Sequence, residues 1–313
     1  VYFPYFYARP AERDALIDAA PHLGATQKVH PILEPWSQAS DMADLLDAFA
    51  AAKRRVHVIT NPAGGDLRTA SAQTAWMHGM APRIAQPALI TPTWKVTRAT
   101  TLADITGFAA AYAGRPVAVV VWDTALTPTS LAAALRPAHV TVFVGPTLPV
   151  ADFDAAFGLR RVVELAQRFT VLTNKDYPAA TTFSGDPKGY LVGGRQGFGD
   201  FTILKPSAPQ KGGGGAGAVA VHMTYQDQST KELIVQHFLS TDTTVRTPKD
   251  GIKLLQALEK LHVQQTVTTP GRFLTTPGYL MLDDYRKRKH ATTLAKSKHA
   301  QLSHHLSTVA AAL

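Results

Sequence analysis

Short apolar runs that end on one or two polar residues, each followed by a turn and an amphipathic stretch, recur along this chain. KVHPILEPW ends on Glu34, VHVITNP on Asn61, ALITPTW on Thr93 and Trp94, PVAVVVWD on Asp123, and RFTVLTNKD on Asn174 and Lys175. Between them apolar residues return at helical spacing, as Leu16, Ala19, Ala20 and Leu23 do, and then Met42, Leu45, Leu46 and Phe49. Strands alternating with helices predict a parallel sheet, and polar groups at the carboxyl ends of parallel strands are where such folds keep their chemistry.

Taken in order, VYFPYFY is strand one and ERDALIDAAPHL helix one. Further helices are expected over Ser37–Lys53, capped by Ser37, through Trp76 and Met80, over Leu102–Tyr112, over Pro128–Leu135, and from about Val150 to Leu165. HVTVFVG is strand six and RFTVLTN strand seven. Residues 176–215 are rich in glycine and poor in aliphatics, which predicts a long functional loop or lid. AVAVHMTY is then strand eight, turning into an antiparallel partner, ELIVQHFL. A helix capped by Thr247 over Pro248–Val263, two TTPG turns and a basic helix over about Tyr279–Val309 complete the chain.

Eight strand and helix units predict a (βα)8 TIM-like barrel with a long Gly-rich loop before strand eight and an extra basic C-terminal helix. Residues 1–265 form the barrel domain, with a lid-like loop at 176–215, and 266–313 a linker and the basic helix. The alternative is an open doubly wound sheet. No nucleotide fingerprint favours it: no GxGxxG follows a strand, and GGGG lacks the Lys-Ser/Thr of a phosphate loop.

Composition narrows the chemistry. With no cysteine there is no disulfide, thiolate nucleophile or Cys-ligated zinc. No apolar run approaches the roughly 20 residues that span a bilayer, and the start lacks a signal-peptide pattern, so a cytoplasmic protein is expected. The net charge is +9, and residues 285–313 carry six Lys and Arg with no Asp or Glu. That tail therefore holds most of the excess charge.

An aromatic-Pro-Tyr opening, a basic residue before an acidic AL-containing helix, PILEP and NP on successive strands, then FGDFTI, AVAVHMTY, VQHFLS and LLQALEKL occur in this order. Over about residues 2–265 this pattern resembles the phage "beta protein" family and its bacterial relatives. The resemblance implies a barrel-like fold and a setting in phages or in bacterial mobile or defence regions. It brings no established reaction.

Glu34, at a strand terminus between Leu33 and Pro35, is either a base or metal ligand at the barrel mouth or the salt-bridge partner of a base such as Arg9. Arg9 in turn is an anion clamp or that partner. Asp123 would face Glu34 across the mouth, the two holding Mg²⁺ or Mn²⁺ or dividing acid and base roles, unless it merely caps the next turn. Asn61, Asn174 and Lys175 are candidate substrate contacts, as is Asp200 in GFGDF, although turn chemistry explains each as well. His222 interrupts an apolar strand and is either a third catalytic group or a hydrogen-bonded core histidine; His237 lies on its partner strand. Arg286, Lys287, Arg288 and Lys289 would track a phosphate backbone or face water. Two functions follow: a metal-assisted phosphodiesterase acting on a phosphorylated or nucleic-acid substrate, or a binding component that recruits nucleic acid or a protein partner to a phage-defence complex.

Overall fold

A computed structural model describes residues 1–24, 27–136, 138–207, 216–247 and 249–313. The chain forms two compact units, the first made of residues 1–9, 26–167 and 188–201 and the second of residues 10–25, 168–187 and 202–313. The run KGGGG, expected in the lid, lies outside the described residues.

In the first unit, eight parallel strands close into a barrel in the order β1-β2-β3-β4-β5-β6-β7-β9. They are β1 (Tyr2–Phe6), β2 (Ile32–Leu33), β3 (Val56–Ile59), β4 (Ile90–Val96), β5 (Val117–Val121), β6 (Val140–Val144), β7 (Val162–Ala166) and β9 (Phe198–Asp200). The helices α2 (Ala39–Ala51), α3 (Ala70–Ile84), α4 (Leu102–Ala111), α5 (Pro128–Leu135) and α6 (Val150–Phe157) follow β2 to β6 in turn. The (βα)8 architecture read from the sequence is the observed one.

Alternation along each strand builds two cores. Phe3, Tyr5, Ile32, Ile59, Ala118, Val120, Phe143, Val163 and Leu165 fill the barrel, while Val117, Val119, Val121, Val142 and Val144 face Ile105, Phe108, Leu131 and Phe153 of the helices. β5 is buried on both faces, as its unbroken VAVVV requires.

Two strands differ from expectation. Strand seven is VVELA, not RFTVLTN, because α6 stops at Gly158, whose φ of +85° is a helix-ending conformation, and the freed Val162 and Val163 pair with β6. The closing strand is FGD rather than AVAVHMTY, so the segment expected as a lid supplies the barrel's eighth strand. Glycine makes this seam possible. A Cβ on Gly199 would lie 2.5 Å from Leu165 Cδ2 and 2.9 Å from the Phe3 carbonyl oxygen.

The second unit is built on a three-stranded antiparallel sheet in the order β10 (Ala220–Gln226), β11 (Leu233–Leu239), β8 (Ala180–Ser184). The expected hairpin is present, with His222 directly opposite His237, and β8 again comes from the predicted lid. Val219, Val221, Met223 and Phe238 pack against α7 (Asp250–Thr266) and α8 (Pro277–Lys287). The N-cap of α7 is Lys249, not Thr247. Fully buried Lys253 of α7 donates to the carbonyls of Ala216, Gly217 and Thr244, which ties the neighbouring loops to the helix.

The terminal basic helix is two helices, α8 and α9 (Leu294–Ala312), separated at residues 288–293. α9 packs against α1 (Pro10–Ala19), α8 and β10, and its residues 300–310 are buried. β10 is an edge strand, and α9 completes it with side chains: Gln301 Oε1 accepts from the His222 backbone N–H at 2.7 Å, and His304 Nε2 lies 2.8 Å from the Thr224 carbonyl. Thr276 and Thr224 hydroxyls lie 2.8 Å from Nδ1 of His304 and of His305 respectively. The histidines of α9 sit inside this unit because each has a hydrogen-bond partner.

Two predictions follow from packing and burial. Gly199→Ala should lower stability by about 1–3 kcal/mol through overpacking at the seam, read as a lower urea midpoint at unchanged slope. Burial lowers His304 to about 4 and His305 to about 3, below the 6.5 of an unfolded chain. The unfolded chain then binds more protons, so stability is full above pH 6.5 and falls on acidification toward pH 4. The slope is about 1.4 kcal/mol per pH unit for each histidine. Urea titrations at stepped pH should show it, and His305→Phe should flatten it.

Candidate active site at the carboxyl ends of the barrel strands

The residues that follow β2, β3 and β5 in register continue the inward face: Glu34 after Ile32, Asn61 after Ile59, and Trp122 after Val120. Within β4 the same alternation turns Lys95 inward with Thr93. Glu34 is only 3% exposed, and a carboxylate so buried needs compensation. It receives it from two sides. Lys95 Nζ lies 2.9 and 2.7 Å from the two carboxylate oxygens, and the Tyr5 hydroxyl donates a short hydrogen bond to Oε2.

The surroundings fix these groups. Burial, and then the charge of Glu34, hold the Tyr5 hydroxyl well above its ordinary pKa, so it remains a protonated donor. Asn61 donates from Nδ2 to the Lys95 carbonyl at 2.9 Å and accepts from the Lys95 N–H at 2.8 Å, clamping the backbone that carries the ammonium. The ammonium sits 4.9 Å from the ring centroid of Trp122 and 5.9 Å from that of Tyr7. Tyr5, Tyr7, Trp36, Trp122 and Phe201 form a continuous chain of ring contacts around it. Trp36 is held from behind by the AGGDL loop, where a Cβ on Gly65, at φ +57°, would strike the Trp36 carbonyl.

Of the expected residues, Glu34 and Asn61 meet here. Lys95, rather than Arg9, is the basic partner of Glu34; Arg9 follows β1 and is partly buried. β4 runs past Trp94, where the pattern ALITPTW ends, to Val96, and the alternation of Thr91, Thr93 and Lys95 along it is the signal that marks Lys95. Asp123 has the opposite parity to Trp122 and pairs at 2.8 Å with the exposed Arg98. Glu34 and Asp123 thus pair with different cations, Lys95 and Arg98. Among the described residues no group of three or more His, Asp or Glu is placed to hold a metal ion.

Asp200 is a strand residue, not a loop one; it shares the face of Tyr2 and Phe198, and the Tyr2 hydroxyl donates to it at 2.6 Å. Asn174 and Lys175 do not end a barrel strand but form a 3-10 turn in the second unit, where Asn174 Nδ2 donates to the Ala218 carbonyl at 2.8 Å. His222 belongs to the sheet of the second unit and not to the barrel. In the basic cluster Arg286 and Lys287 pair with Asp283 and Arg288 with Asp284, acids that lie just upstream at helical i, i+3 and i, i+4 spacing. Lys289 follows at the helix end with φ +49°. A count that starts at Tyr285 misses the two aspartates and overstates the free charge.

No family model matches the chain, and no curated protein matches it. The barrel mouth therefore rests on its own geometry. Among the described residues no helix is long and apolar enough to cross a membrane.

Lys95→Met leaves a buried carboxylate unpaired and should cost about 2–4 kcal/mol, less than a fully buried pair because the Lys95 side chain is 16% exposed. The double variant Glu34→Gln with Lys95→Met should recover part of that loss in a urea double-mutant cycle. Additive costs would show that the two groups do not interact.

Proposed function

We propose that the barrel is an enzyme acting on a nucleotide-type phosphoester, with Glu34 and Lys95 as its acid–base and electrostatic centre. The observation that carries this reading is the Lys95 ammonium, held between the Glu34 carboxylate and the face of Trp122 at the strand ends. Lys95 neutralises charge that develops on the phosphoryl oxygens, and Glu34 is the base for an attacking water. The partly exposed rings of Trp36 and Trp122 offer flat faces for a base to stack on. Tyr5 and Asn61 are positioning residues: one orients the carboxylate, the other the lysine backbone. A place among phage-related or defence proteins is what the resemblance to the phage "beta protein" family implies, while diester hydrolysis rests on the Glu34 and Lys95 pair alone.

AMP should quench tryptophan fluorescence saturably, with adenosine at least about tenfold weaker because it lacks the charge for Lys95, a difference of about 1.4 kcal/mol. Trp122→Leu should weaken AMP further while Lys95→Arg retains binding, and Glu34→Gln should abolish slow hydrolysis of bis(p-nitrophenyl) phosphate. Equal affinity for AMP and adenosine, or no saturation at millimolar AMP, sinks the proposal.

A further inference from the structure

The second unit contains a cavity of about 200 Å³ whose lining includes Asn174, His222 and Lys298. It is smaller than the roughly 300–1,000 Å³ typical of drug-sized ligands, so its occupant is small. His222 is engaged on one side of its ring. Its Nδ1 lies 2.7 Å from Nδ1 of His237, whose Nε2 lies 2.9 Å from the Thr181 hydroxyl. Among the described residues no hydrogen-bond partner meets His222 Nε2. The rings of Phe169 and Tyr177 pack on both imidazoles and hold them in place.

Two Nδ1 atoms at that distance share a single proton, since protons on both would collide. The pair therefore has two neutral arrangements. In one, Thr181 donates to His237, His237 donates to His222, and His222 Nε2–H is left as a donor. In the other every bond reverses, and Nε2 is a bare acceptor. A ligand that accepts a hydrogen bond selects the first arrangement without charging either ring. The cation comes from Lys298, whose ammonium carries three N–H groups and lies 3.4 Å from Glu12 Oε1. Ile203, Leu204, Val219 and Leu294 give one aliphatic wall, beside which Gln301 Nε2 donates to Ser297 Oγ at 2.8 Å.

We infer that this cavity binds a small carboxylate with an apolar tail. The carboxylate spans the Lys298 ammonium and the Nε2–H of His222, and the tail lies on the aliphatic wall. A bare phosphate meets the same cation but leaves that wall uncovered. This site belongs to the second unit and stands or falls independently of the barrel chemistry.

Isovalerate titrated into the full chain, with inorganic phosphate as the comparison, tests the assignment. Saturable isovalerate binding is expected, weakened at least about tenfold by Lys298→Met and by His222→Phe, each about 1.4 kcal/mol or more. The ¹⁵N shifts of His222 should move to the Nε2–H form on binding, and His237→Phe should weaken that tautomer bias while the fold persists. His222→Gln, which keeps a donor, should bind better than His222→Phe; thermal melts of each variant separate binding loss from unfolding. Absence of saturable isovalerate binding, wild-type affinity in Lys298→Met or His222→Phe, or phosphate binding as tightly as isovalerate each overturns the inference.

Discussion

A carboxylate taken out of water at the end of a parallel strand must be neutralised, and the barrel mouth is arranged around that requirement. Glu34 has no packing reason to be buried, and its desolvation is offset by one ammonium and one hydroxyl. Both come from other strands, Tyr5 from β1 and Lys95 from β4. The clamp by Asn61 and the aromatic wall then follow, since an ammonium that serves a buried carboxylate has to be held still.

The second unit meets a different constraint, the unpaired edge of β10. α9 satisfies it with amide and imidazole side chains instead of another strand, which places histidines in the buried stretch 300–310 of the helix. Burial keeps them neutral, so they serve as hydrogen-bonding groups and not as charges. The same unit buries Lys253 with its charge met by three carbonyls. In both places a polar side chain replaces a missing backbone partner.

Much of the barrel was legible because strand and helix periods differ and because buried parallel strands read as apolar runs. β1, β3, β5, β6 and α5 lie where their patterns put them. The misreadings share a cause. VVELA is a short apolar run that continues a helical stretch by pattern, and only Gly158 marks the break. FGD is too short and too rich in glycine to read as a strand, and it is one because its neighbours β1 and β7 leave a gap that only a Cβ-free residue fits. Because RFTVLTN and AVAVHMTY are not barrel strands, Asn174, Lys175 and His222 lie in the second unit and other residues form the rim.

By itself the sequence determined the alternation of strands and helices through β6, the barrel class, and the anomaly of Glu34, because these depend on local periodicity and on the cost of burying a charge. Tertiary structure alone decided that Lys95 is the partner of Glu34, that Asp123 turns to Arg98, and that His222 faces His237. Each of those pairings joins residues on different elements, and their side-chain directions follow from strand register, which no local pattern specifies.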